Sequence, residues 1–131
     1  MKETLNIIKG IAAAIGGALS FLLGDINGLV YALTAFVLID YATGIMCAIL
    51  NKKLSSEIGF KGIFKKALIF LMVGIAHIAD VNLLESSSVL RDTTIFFYLA
   101  NEGISILENA AVLDLPIPQK IKDILEQLKK K

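Results

Sequence analysis

The run from Ile26 to Leu50 constrains this chain most, because Asp40 is its only charge. A helix needs about 20 residues to cross the roughly 30 Å hydrocarbon layer of a bilayer, and this run is long enough with some tilt. Each large apolar residue in it favours insertion by about 0.3–0.6 kcal/mol, against about 2.5–3.5 kcal/mol for a central Asp. The apolar sum prevails. Composition extends the same conclusion to the whole chain: 56% of the 131 residues are hydrophobic and the mean hydropathy is +0.73. A soluble domain runs at about 45–50% apolar, and one this small would leave the surplus exposed to water. The surplus needs lipid.

Two more segments read as spans. Residues 63–84 carry His77 and Asp80 toward their far end, and residues 4–23 are apolar apart from Asn6 and Lys9, a lysine able to snorkel to the near interface. The first segment also has the look of a signal peptide, lysines before an apolar stretch and small residues near Ala18 and Ser20, but no secreted domain follows it. Residues 93–113 differ. At 100° per residue, Thr94, Tyr98, Asn101, Glu102, Ser105, Glu108 and Asn109 fall within a sector of about 120°, with Ile95, Phe96, Leu99, Ile106 and Leu107 opposite. Such a segment does not insert alone. It lies along the interface, or spans with its polar stripe turned to protein or water.

Charge distribution bears on that choice. Lys52, Lys53, Lys61, Lys65 and Lys66 form a basic loop over residues 51–66 against Glu57 alone; Lys2 and Lys9 mark the N-terminus, and Lys120, Lys122, Lys129, Lys130 and Lys131 the C-terminus. The other two turns hold Asp25 in one and Glu85, Arg91 and Asp92 in the other. The positive-inside rule then places both termini and the basic loop in the bacterial cytoplasm, which four crossings satisfy. The expected fold is an all-α integral membrane protein, a single domain over 1–131 with four transmembrane helices; three spans plus one amphipathic segment is the alternative. Residues 114–131 form a cytoplasmic tail. After Pro116 and Pro118 its residues Ile121, Ile124, Leu125 and Leu128 recur at helical spacing, giving a short amphipathic helix resting on anionic lipid or on itself, or else a plain solvated tail.

Nothing in the sequence assembles a catalytic site. There is no nucleophile–base pair, no phosphate-binding glycine loop and no cluster of metal ligands, and His77 is the single histidine. No cofactor or metal is expected, and a net charge of +1 gives no field for nucleic acid. Cys47, the lone cysteine, reads as a small buried hydrophobe. The polar residues inside the spans are the candidates. Asp40 and Glu102 lie near mid-membrane, where an ionisable group normally faces a bundle interior or a water-filled cavity. His77 and Asp80 stand one turn apart nearer the outer face. These residues and the stripe Thr94, Tyr98, Asn101, Glu102, Ser105, Glu108 and Asn109 are expected either to glue helices within a monomer or to line an oligomeric lumen. Seven polar residues in one sector exceed what glue requires. Small residues suit close helix packing: Ala13 with Gly17, and Gly44 with Ala48 on the Asp40 face.

Four stretches resemble a known family. Asp40-Tyr41-Ala42-Thr43-Gly44, then Leu54-Ser55-Ser56-Glu57-Ile58-Gly59-Phe60-Lys61-Gly62, then Phe96 to Gly103 continuing to Ile106-Leu107-Glu108-Asn109, and finally Pro116-Ile117-Pro118-Gln119-Lys120 are similar to the phage holin family, the branch of phage-lysis holins and of holins at clostridial toxin-secretion loci. The resemblance covers about Val37 to Lys131, and the first segment adds little to it. It implies a homo-oligomer in the cytoplasmic membrane that opens large holes, an endolysin or toxin as released cargo without specific binding, and a possible antiholin as partner. Two other readings stay open: a small proton-coupled transporter using mid-membrane carboxylates, and a scaffolding membrane subunit.

Overall fold

A computed structural model describes residues 1–85 and 87–129, without the side chains of Leu125, Leu128 and Lys129; Lys130 and Lys131 of the expected basic tail lie outside the described residues. The described chain is all helical: α1 is Lys2–Leu23, α2 Gly28–Leu50, α3 Ser56–Asn82, α4 Val89–Val112 and α5 Gln119–Lys129. Three boundaries have a local cause. Gly24 ends α1 at φ +82°, a left-handed conformation that glycine takes without strain. Asn27 opens α2 by accepting the Leu29 N–H at 3.1 Å and the Val30 N–H at 3.4 Å on its side chain. Ser55 opens α3 by accepting the Ile58 N–H at 3.2 Å. That cap starts α3 well before residue 63, so the basic stretch is mostly helix and only residues 51–55 form the turn.

Among the described residues three helices, α1, α2 and α3, are long and apolar enough to cross a membrane. With 23 residues α2 is about 34 Å long at 1.5 Å per residue. The 24-residue α4 matches that length but carries Arg91, Asp92, Glu102 and Glu108. It packs between α2 and α3. Contacts at both ends fix the directions: Lys66 of α3 meets Asp40 of α2 and Glu102 of α4, whereas Asp80 of α3 meets Leu90 and Arg91 at the start of α4. Thus α2 and α4 run the same way and α3 runs against them.

The apolar core fills one half of this packing. Val30, Leu33 and Val37 of α2, at helical spacing, meet Val73 of α3, Ile95 of α4 and Leu23 of α1. The other half has polar residues at its centre, while the outward faces of all three helices are apolar: Leu38, Ile39, Ile49, Phe64, Leu68, Ile75 and Phe97 are exposed. Polar inside and apolar outside suits a lipid solvent. Helix α1 stands apart. Every side chain from Met1 to Phe21 is exposed, and the helix joins the bundle through Leu22 and Leu23, with Leu22 pressed on Gly74 so closely that a Cβ there would lie 2.7 Å from it. The packing pair expected at Ala13 and Gly17 is therefore exposed, away from the other described helices.

Candidate functional site

Three helices bring their polar residues to one point. In α2, Asp40 continues the buried stripe of Val30, Leu33 and Val37 by one further step, so its carboxylate faces α4 and not lipid. In α4, Glu102 lies two turns beyond Ile95 on the same inward side. Asp40 is 5% exposed and Glu102 is 4% exposed. Between them reaches Lys66 of α3, whose ammonium donates to Glu102 Oε1 at 2.7 Å and Oε2 at 2.9 Å and to Asp40 Oδ2. Asn109, two turns after Glu102, completes the shell: its amide donates to Asp40 Oδ1 at 3.1 Å and to Thr43 Oγ1 at 2.9 Å. The Asn109 carbonyl in turn accepts from Cys47 Sγ at 3.4 Å.

The energetics follow from burial. Two carboxylates and one ammonium withdrawn from water cost several kcal/mol each in desolvation, which close charge-assisted hydrogen bonds offset. Removing one member of such a group costs about 3–5 kcal/mol, because the remaining charge stays buried without its partner. The cluster is not sealed. Clefts of about 230 Å³ and 330 Å³ flank it, the first lined by Tyr41, Gly62, Lys66 and Asn109, the second by Lys66, Tyr98, Asn101, Glu102 and Ser105.

The neighbouring motif residues brace the same junction. Tyr41 donates its hydroxyl to the Gly59 carbonyl at 3.2 Å, and its ring lies where a Cβ on Gly62 would come within 3.0 Å of Cε2. Gly44 faces the Asn109 amide, 3.8 Å from where its Cβ would stand, and Ala48 is half-buried one turn on. Gly103 packs beside the Phe36 ring, 3.5 Å from where its Cβ would stand. The stretches beginning at Asp40, Leu54 and Phe96, far apart in sequence, are one packing unit.

Not every candidate joins it. Ser105 and Tyr98 line the clefts, with Tyr98 edge-on to Phe97 at 5.1 Å between ring centres. Thr94 donates instead to its own helix, at the Leu90 carbonyl. Asn101 is exposed at a cleft mouth, and Glu108, also exposed, faces α5 across a further cleft lined by Lys122 and Glu126. Lys52 and Lys53 are exposed in the α2–α3 turn; Lys61 and Lys65 are exposed on α3. From sequence Lys66 belongs to the basic loop over residues 51–66. The structure corrects that placement: the Ser55 cap puts Lys66 three turns inside α3, on its inward face.

His77 and Asp80 belong to a second centre at the opposite end. Asp80, 0% exposed, accepts the Leu90 N–H at 3.0 Å and the Arg91 N–H at 2.8 Å, the orphan donors of the first turn of α4. Arg91, 3% exposed, donates from Nε to the Leu23 carbonyl at 2.7 Å and from its guanidinium to the Asp25 carbonyl, with Asp92 at 3.2 Å. The His77 ring packs on Gly24, where a Cβ would be 2.8 Å from Nδ1. The sequence alone shows Arg91 as one of three charges in a turn. A signal existed: it is the only arginine among twelve lysines, and a planar fork is what two separate carbonyls require.

Among the described residues no three of His, Cys, Asp and Glu are grouped to hold a metal ion. The fold and this polar centre define an α-helical membrane protein with titratable side chains held between apolar helices. The chain belongs to the bacteriophage holin family, whose model matches residues 17–130. It is 37% identical to a probable holin of Bacillus phage phi105, over 82% of this chain and 78% of that protein. It is also 37% identical to an uncharacterized 14.9 kDa protein from the nagH 3′ region of Clostridium perfringens, over 100% of this chain and 99% of that one. A Listeria monocytogenes protein is 40% identical over 91% of this chain and 84% of its own length. No solved structure matches the chain.

Proposed function

We propose that this protein is a holin that accumulates in the bacterial cytoplasmic membrane and then oligomerises into holes large enough to release an endolysin or a toxin. The observation that carries the reading is the Lys66–Asp40–Glu102 cluster, ion-paired at the centre of apolar helices and bordered by two clefts. In the dormant form Lys66 and Asn109 occupy the carboxylates and hold α2, α3 and α4 together. In the hole the polar stripe of α4, Asn101, Glu102, Ser105, Glu108 and Asn109, turns to a water-filled lumen, where hydration replaces those partners. Two packings that differ by a few kcal/mol are enough for a switch driven by protein concentration or membrane potential. Four crossings with both termini in the cytoplasm fit this scheme. The basic turn between α2 and α3 and the tail after α4 lie at the same end of the bundle, the end that the positive-inside rule assigns to the cytoplasm.

The test is inducible expression in a bacterium, following membrane potential and escape of a co-expressed cytosolic endolysin. Abrupt depolarisation after a lag, with endolysin escape, is expected. Healthy growth with an intact potential would overturn the reading in favour of a cation transporter. Glu102→Gln keeps the shape of the side chain and removes its charge, weakening the hold of Lys66 by about 1.5–3 kcal/mol. Its lysis onset is expected earlier than that of the wild type, and unchanged onset and release would sink the latch.

A further inference from the structure

Helix α5 carries an apolar stripe turned to its surroundings. Ile121 and Ile124 are exposed, and the sequence repeats leucine at 125 and 128 in the same helical phase. The stripe is not the side that faces the bundle. Lys122 and Glu126 line the cleft against Ile104, Leu107, Glu108 and Ala111 of α4, and they lie roughly 120° around the helix from the stripe. Lys120 and Lys122 flank the stripe on its two sides at about a right angle, and Gln119, Asp123 and Glu126 form the face opposite, with Gln119 donating to Asp123 at 3.0 Å.

Position and charge say what lies against the stripe. α5 follows α4 directly, at the end of the bundle where α2 stops and α3 begins. Lys52, Lys53, Lys61 and Lys65 are exposed at that end. A helix with an aliphatic face, lysines along both margins and acids opposite is built to lie in a bilayer interface, with its ammonium groups on headgroup phosphates. We propose that α5 docks in the plane of an anionic phospholipid surface, Ile121 and Ile124 seated at the acyl boundary, Lys120 and Lys122 on the phosphates at its two margins, and its Glu126 side turned to α4. The docked helix fixes the depth of the α4 C-terminus, and with it the height of Asn109 and Glu108 in the membrane. This inference needs the spans to cross a bilayer but does not need them to open a hole.

The test uses the full chain in nanodiscs. An environment-sensitive fluorophore is attached to the thiol that Ile124→Cys introduces, in a Cys47→Ser background that leaves no other thiol. Discs of phosphatidylcholine are compared with discs that also contain phosphatidylglycerol. A blue-shifted emission, quenched by brominated lipid, is expected in the anionic discs and lost at high salt. Lys120→Gln with Lys122→Gln is expected to lower the ratio of docked to undocked helix about thirtyfold, from a loss of about fivefold per lysine. Ile121→Ser, which leaves every charge in place, is expected to lower it as well. Equal emission in both discs would overturn the proposal. So would protection that appears only when several copies share a disc, since a second copy would then cover the stripe.

Discussion

The two buried polar centres hold their cations by different means. Where α4 begins, Arg91 is bound mainly by backbone: the carbonyls of Leu23 and Asp25 accept from its guanidinium beside its sequence neighbour Asp92, and its own N–H is taken by Asp80. At the other centre Lys66 is bound by side chains, those of Asp40 and Glu102. Backbone partners cannot leave without unwinding a helix end or opening the α1–α2 turn. Side-chain partners leave by changing rotamer or by helix rotation. The Arg91 centre also has Val30, Leu33, Val73 and Ile95 packed beneath it, whereas clefts border the Lys66 centre. A clasp and a latch are therefore built from the same charge chemistry, and the difference lies in what holds the cation and how much free volume surrounds it.

Three substitutions test that contrast. Lys66→Met leaves two buried carboxylates facing each other without a cation, a loss of about 3–5 kcal/mol. It is expected to give the earliest lysis onset of any single change, and combining it with Glu102→Gln should recover part of the delay, as coupled neighbours do. An additive double variant would mean that the two residues act separately. Arg91→Lys keeps the charge but loses the fork that spans two carbonyls, costing about 2–3 kcal/mol. Here the thermal midpoint in detergent and the amount of protein accumulated should fall, with the lag per molecule unchanged. If the lag shortens instead at normal accumulation, the clasp is part of the switch. Tyr41→Phe removes one hydrogen bond, to the Gly59 carbonyl, for about 1 kcal/mol. A small forward shift in onset without loss of accumulation would place the α2–α3 brace with the latch, and a fall in accumulation alone would place it with the clasp.

Much of this is legible in the chain itself. The spans show in the sequence because hydrocarbon imposes a length and an apolarity that few other environments demand. The stripe on α4 shows because seven polar residues keep helical phase, and Asp40 and Glu102 stand out because charge is rare in such surroundings. The partner of both is hidden. Lys66 sits in a run of lysines whose density suits a loop; the Ser55 cap, which shifts the helix start to Ser56, brings it into α3, and packing of α3 on α2 and α4 turns it inward. Arg91 is hidden for a similar reason: apart from its neighbour Asp92 its acceptors are carbonyls, and backbone acceptors leave no mark in the residue types around them.

Sequence by itself determined that the chain is helical, that it needs lipid, which residues are too polar to face that lipid, and to which family it belongs. The first three follow from composition and from periodicity along single segments, each set by the cost of exposing polar groups to hydrocarbon, and the family follows from the similarity of its motifs to known members. Tertiary structure alone decided which polar residues meet. Asp40, Lys66 and Glu102 lie on three helices, and their convergence depends on how α4 rotates and slides between α2 and α3. Packing of side chains from distant segments sets that rotation, and no local pattern encodes it.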